Sequence, residues 1–180
     1  MTVRTEGHHP DFMKMAKELD KLNHWEVAVG FFGENDAKLL TIVRANEYGA
    51  TIKPKPGNKF GGYLMVPSYK DSKGKRHFYK LKKVVIPPRP FIKNAWEANE
   101  GKYKQLVFDG LKDICNGDTT AMKLLNELGN ICVRDIQESA VKLKDPPNAP
   151  ATIEYKQSAN PLIGVSHDMV NKVTYKIIPD

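Results

Sequence analysis

The sequence is short of the features that mark secreted, membrane-spanning and cofactor-dependent proteins. Only two of its 180 residues are cysteine, Cys115 and Cys132. They form no C-x-x-C pair, and a disulfide-stapled scaffold is not expected. Each lies within a helical pattern and reads as a small apolar core residue. No run reaches the roughly 18 apolar residues that span a bilayer, so no membrane partner is expected. Residues Met1–Glu6 lack the apolar centre of a secretion signal, which points to a protein made and used in a cytoplasm.

The motifs of catalysis are equally scarce. There is no G-x-x-x-x-G-K-[ST] loop and no G-x-G-x-x-G turn between a strand and a helix. Gly57-Asn58-Lys59-Phe60-Gly61-Gly62 is glycine-containing and basic, but it reads as a hairpin turn before a phosphate cradle. Neighbouring His8 and His9 lack the i, i+4 spacing that sets two imidazoles on one helical face. His167-Asp168 has no accompanying Ser or Cys nucleophile. The expectation is therefore no enzyme, no metal and no cofactor.

What is present is an ordinary globular composition, with 41% hydrophobic residues and a formal net charge of +7. One domain over 1–180 is expected. Phe12, Met15, Ala16, Leu19 and Leu22 predict a helix over 10–22. Trp25, Val27 and Val29 alternate with Glu26 and Ala28 and predict a strand ending near Gly33. Asp36 is placed to cap a helix over 37–48, with Gly49 as its stop.

Residues 50–85 hold Pro and Gly between short β-like runs at 50–53, 63–66, 76–79 and 84–86. They predict an inserted, protruding β arm used between subunits. Two helical patterns follow, over 91–115 and about 119–143, with Asp118 or Thr119 as the cap between them. The first places Ile92, Trp96, Tyr103, Leu106, Val107, Leu111 and Ile114 on one face. The second carries the stripe Ala121, Leu125, Leu128, Cys132, Ile136, Ala140 and Leu143. Joined by a short turn, they predict a helical hairpin over 91–143.

A short helix is expected over 152–156. The alternation of Val173, Tyr175 and Ile177 predicts a C-terminal sheet strand over 172–178. The fold class is α+β, with one small antiparallel sheet, built from the 25–32 strand, the central strands and the C-terminal strand, packed by long helices.

The main charge feature is Lys70-Asp71-Ser72-Lys73-Gly74-Lys75-Arg76-His77-Phe78-Tyr79-Lys80-Leu81-Lys82-Lys83. Three readings of it are open. It is a solvated hairpin whose lysines discourage strand pairing, a contact for an acidic protein surface, or a contact for DNA.

Several stretches, taken in order, carry a resemblance. They are Val27-Ala28-Val29-Gly30-Phe31, Ala45-Asn46-Glu47-Tyr48-Gly49, Ile86-Pro87-Pro88-Arg89-Pro90-Phe91-Ile92 and Pro147-Asn148-Ala149-Pro150-Ala151-Thr152-Ile153. Asn160-Pro161-Leu162-Ile163 and Asn171-Lys172-Val173-Thr174-Tyr175-Lys176-Ile177 follow. The order resembles the neck or tail-completion proteins of tailed bacteriophages, minor morphogenesis proteins that join head to tail. Family members commonly follow the "P-L-I" with Asp-Thr-Gly, where this chain has Gly164-Val165-Ser166-His167.

The resemblance implies a structural virion protein without catalytic residues. It implies a homo-oligomeric ring of six- or twelve-fold symmetry at the neck or top of the tail, assembled in the host cytoplasm. The partners it implies are connector, tail terminator or tail tube proteins, with DNA passing through the ring. The alternative is a DNA-binding accessory protein that uses the basic 70–83 arm.

The interface candidates are Glu47, Tyr48, Arg89 and Phe91 in the resembling stretches, and Lys73, Lys75, Arg76, Phe78 and Tyr79 in the arm. Glu47 and Arg89 are expected to pair. A carboxylate in the last turn of a helix opposes the helix dipole, and a guanidinium offers it a planar partner.

Overall fold

The computed structural model of the chain describes residues 10–33, 37–163 and 168–180. The elements run α1 (Pro10–Asn23), β1 (Trp25–Gly30), α2 (Ala37–Tyr48), β2 (Ala50–Ile52), β3 (Leu64–Lys70), β4 (Arg76–Leu81) and β5 (Val84–Ile86). They continue with α3 (Phe91–Asn116), α4 (Ala121–Lys142), α5 (Pro150–Lys156), α6 (Asp168–Asn171) and β6 (Thr174–Pro179). The protein is α+β, about half helical, with small antiparallel sheets against long helices. No described helix is long and apolar enough to cross a membrane.

The strands do not join into the one sheet expected. They form three separate two-stranded antiparallel sheets, β1–β6, β2–β5 and β3–β4. The central runs pair among themselves, β3 with its neighbour β4 and β2 with β5. The β3–β4 hairpin nests inside the β2–β5 stem, so forming the hairpin first shortens the loop that the stem must close. The terminal strands pair with each other, Val27 opposite Ile177 and Val29 opposite Tyr175.

The chain divides into two compact units. The first holds the described residues up to Gly30, Trp96–Asp135 and Thr174–Asp180. Here α3 and α4 run antiparallel. Lys102 Nζ meets the Asp135 carboxylate at 2.8 Å, and the helices close on each other where Gly110 faces Leu124. Tyr103, Ile114, Ala121, Leu124, Leu125 and Cys132 form the interior.

The start of α4 is capped differently from the expectation. Thr120, and not Asp118 or Thr119, supplies the hydroxyl, to the Lys123 amide at 3.4 Å. Glu18 of α1 accepts the Ala121 amide at 2.9 Å. That carboxylate sits where the helix dipole favours negative charge. Two other readings are corrected. Cys115 is exposed, because it lies one step around α3 from the buried Ile114. Trp96 is 55% exposed, with its ring tilted against buried Tyr103 at 5.5 Å between centres.

The second unit holds the described residues of Phe31–Ala95 and Ile136–Val173. Its interior is Val43, Phe91, Ala95, Ile136, Ala140, Leu143, Leu162, Ile163, Val170 and Val173. Phe91 is fully buried and meets Phe31 edge-on at 6.2 Å between ring centres. The β arm belongs to this unit. Its strand β3 lies along α5 and buries Ser68, so the hairpin is anchored toward its tip end. Gly49 turns the chain from α2 into β2 at φ 77°. A Cβ there would sit 3.0 Å from the Ile86 carbonyl and 3.1 Å from the Pro88 ring, so the stem requires glycine at this position.

In the first unit Gly129, in the middle of α4, is also constrained. A Cβ on it would overlap the ring of Tyr175 in β6, whose hydroxyl donates to Asn126 Oδ1 at 2.8 Å. Gly to Ala inside a helix ordinarily gains about 0.5–1 kcal/mol, but overpacking costs about 1–3 kcal/mol. Gly129→Ala is therefore expected to lower the melting temperature, with a net loss of about 1–2 kcal/mol. Unchanged or raised thermal stability would refute the close packing of β6 on α4.

Candidate functional site

Arg89 follows two prolines and precedes a third, so its backbone is extended and its side chain has few directions to take. It points inward and is 4% exposed. Its Nε donates to the Pro146 carbonyl at 2.8 Å. Nη2 donates to the Pro147 carbonyl at 3.1 Å and to Asn148 Oδ1 at 3.2 Å. Nη1 donates to Asn46 Oδ1 at 3.3 Å, and the Arg89 amide donates to the Asn46 carbonyl at 2.6 Å. One planar cation thus ties the end of α2 to the segment after α4.

Glu47 is also buried, at 6% exposure, but it does not pair with Arg89. Its carboxylate accepts the amides of Ile92 at 3.1 Å and Lys93 at 3.0 Å, at the first turn of α3. The expected pair is replaced by two separate tasks. Glu47 does occupy an unfavourable place on its own helix. The Phe91 and Asn94 amides have backbone acceptors, so the Ile92 and Lys93 amides at the positive dipole end of α3 are the directional partners left for Glu47, and Arg89 finds carbonyls instead.

Asn160 closes the other side of the network. Its Nδ2 donates to the Ala140, Val141 and Leu143 carbonyls at 2.9–3.4 Å, and its Oδ1 accepts the Leu162 and Ile163 amides at 2.8 Å. It therefore caps the C-terminal end of α4. Asn148 Nδ2 reaches the Asn160 and Pro161 carbonyls. Lys156 Nζ donates to the Pro161 carbonyl at 3.0 Å. Burial, and then the nearby Arg89 charge, push the Lys156 pKa down. Among the described residues no buried side-chain nitrogen or oxygen lacks a partner.

The four sequence-selected residues near this network therefore divide. Glu47, Arg89 and Phe91 are interior to the chain and offer no surface, whereas Tyr48 is 77% exposed. Asn46, Asn148, Asn160 and Lys156 belong to the network and were not singled out. The signal that could have found them is asparagine beside proline in Pro147-Asn148 and Asn160-Pro161, since such side chains bond backbone locally.

No family model matches the chain, and neither the curated proteins nor the solved structures give a match.

The arm is the second candidate. Asp71 organises its tip, accepting the Lys73 and Lys75 amides on Oδ1 and His77 Nε2 on Oδ2. His77 first, then the Lys75 amide, hold the Asp71 carboxyl below its usual range. Arg76 is turned inward. Its guanidinium stands 5.1 Å from the centre of the Tyr155 ring of α5 and donates to the Ser68 carbonyl. Lys73 and Lys75 are exposed, and Phe78 and Tyr79 are half-exposed on opposite faces of β4.

Elsewhere, burial pushes the Tyr103 hydroxyl and the Cys132 thiol up, with Asp135 adding to both. This keeps both protonated and the thiol unreactive at neutral pH. Among the described residues no group of three or more His, Cys, Asp or Glu side chains could hold a metal ion. His8, His9, Asp36 and His167 lie outside the described residues.

The network can be tested at both of its cations. Arg89→Lys is expected to cost about 3 kcal/mol or more, read by denaturant unfolding, because one ammonium cannot reach all four oxygens. A loss below about 1 kcal/mol would show that the guanidinium fork is not needed. Lys156 has a folded pKa below its unfolded value of 10.5, so its charged form opposes folding below the folded pKa. Wild-type stability measured against Lys156→Met should then rise as pH climbs from the depressed value toward 10.5. A difference that is flat or falls across that window would exclude the assigned burial.

Proposed function

We propose that this is a structural virion protein of a tailed phage that forms a ring at the head–tail neck or at the top of the tail. In that position it completes the tail or joins it to the head. The observation that supports the reading is where the resembling stretches fall. Val27–Gly30 and Thr174–Ile177 pair with each other in the first unit. Asn46-Glu47, Arg89-Pro90-Phe91, Pro147-Asn148 and Asn160-Pro161 interlock in the second. Residues far apart in sequence are thus engaged in holding the chain to itself, as a structural signature would be. A catalytic signature would instead converge on an open cavity.

A ring subunit needs a stiff body, since rigidity lowers the ordering cost of assembly. The saturated Arg89 network and the proline-braced entry to α3 supply it. Connector, tail terminator or tail tube proteins are the proposed neighbours, and closed cyclic symmetry is the proposed arrangement.

The test is the mass of the purified protein, alone and mixed with tail tubes and connectors, with particles imaged in negative stain. A discrete closed oligomer, or stoichiometric addition to tube or connector ends, is expected. A strict monomer under all these conditions that adds to neither would sink the proposal.

A further inference from the structure

The positive charge of this protein is concentrated in one segment. Residues 50–86 contain nine lysines, one arginine and a single carboxylate, Asp71, a formal +9. Removing them from the chain's 28 basic and 21 acidic residues leaves 18 and 20, a formal −2. The segment therefore carries more than the whole net charge of +7.

The structure also shows which of these charges are available. Lys53, Lys55, Lys59, Lys70, Lys73, Lys75, Lys80, Lys82 and Lys83 are all exposed. Among the described residues none of them has a carboxylate partner. Asp71 is engaged by His77 and by backbone amides, so it neutralises none of them. A surface made only to be solvated usually mixes both signs. This one holds like charges together at a cost in repulsion, which an external polyanion would relieve.

Shape narrows the partner. The lysines sit on and around a two-stranded antiparallel ribbon, Leu64–Lys70 against Arg76–Leu81. Near its tip, where Lys70 pairs with Arg76, the ribbon is held by the Asp71 turn and by the Arg76–Tyr155 contact with α5. The major groove of duplex DNA admits a two-stranded β-ribbon, with phosphates along both walls. One face of the ribbon presents Tyr69 stacked on His77 at 4.7 Å, then Tyr79 and Leu81. Both tyrosines are about half-exposed, flat surfaces suited to base and sugar edges.

We propose that residues 53–83 bind duplex DNA, the β3–β4 ribbon entering the major groove and the flanking lysines contacting phosphates. Charge and shape alone support this binding, and it stands whether or not the chain forms a ring.

The test uses the full chain and a labelled duplex, with binding followed by fluorescence anisotropy from low to moderate salt. Two quadruple variants of equal charge loss are compared. One is Lys73→Gln, Lys75→Gln, Lys82→Gln and Lys83→Gln. The other is Lys14→Gln, Lys17→Gln, Lys123→Gln and Lys144→Gln, on exposed lysines outside the segment. All eight lysines are exposed, so both variants should melt like the wild type.

Wild type and the second variant should bind with a steep linear dependence of log K on log salt. The arm variant should bind at least about tenfold more weakly, with a slope smaller by roughly 3–4, about 0.9 for each phosphate that is no longer neutralised. Absence of salt-dependent duplex binding would overturn the proposal, and so would equal weakening of the two variants. Polyglutamate bound as tightly as DNA at matched salt would assign the surface to an acidic protein and also overturn it. A monomer that binds DNA as described would sink the ring proposal and leave this one intact.

Discussion

A guanidinium taken out of water is the constraint around which the second unit is built. Arg89 keeps its charge, since even a lowered arginine pKa leaves it protonated near neutrality. Among the described residues it has no ion pair, so the loss of hydration is offset by oxygen acceptors from Asn46, Pro146, Pro147 and Asn148. Those acceptors stay in place only if α2 ends where it does, if the stem brings Pro88–Pro90 beside it, and if the chain after α4 folds back. Removing a single acceptor leaves a partly satisfied buried cation, which is worse than an apolar contact of the same size. This gives a physical reason for Asn and Pro at those positions.

The same economy recurs at the helix ends. Glu18 caps α4 from α1, Glu47 caps α3 from α2, and Asn160 caps the C-terminal end of α4 from beyond α5. In each case the orphan backbone groups of a helix are satisfied by a side chain distant in sequence. Local caps fix where a helix stops. These distant ones also fix where it sits against a second element, so a helix end cannot be misplaced without unsatisfying another element.

The arm obeys a different rule. Its basic side chains are held apart from the carboxylates of the rest of the chain, and its order comes from the Asp71 turn, the Arg76–Tyr155 contact and the packing of β3 on α5. Lys80 in β4, with Lys82 and Lys83 just after it, also blunts an unpaired strand edge, which protects against unwanted pairing. That role accounts for charge near the strand. It does not account for Lys53, Lys55 and Lys59, which precede β3 in the connecting loop.

The helices and strands were legible because their apolar periodicities are long and clean. The α4 stripe at Ala121, Leu125, Cys132, Ile136, Ala140 and Leu143 is the interior surface observed. The first and last strands, expected to share a sheet, do share one. The α+β class follows from these patterns alone. The failures are of another kind. Cys115 and Trp96 sit in helical patterns one position away from the buried face, and a period of 3.6 residues does not resolve such a step at the edge of a stripe. That the central strands would not join β1 and β6 could not be read, because a strand's pattern does not name its partner. Glu47 and Arg89 were both recognisable as residues needing partners. Which partners they took was decided by tertiary structure, because a carboxylate accepts equally well from a guanidinium or from helix amides. Only the placement of the first turn of α3 beside Glu47, and of Pro146–Asn148 beside Arg89, chose between them.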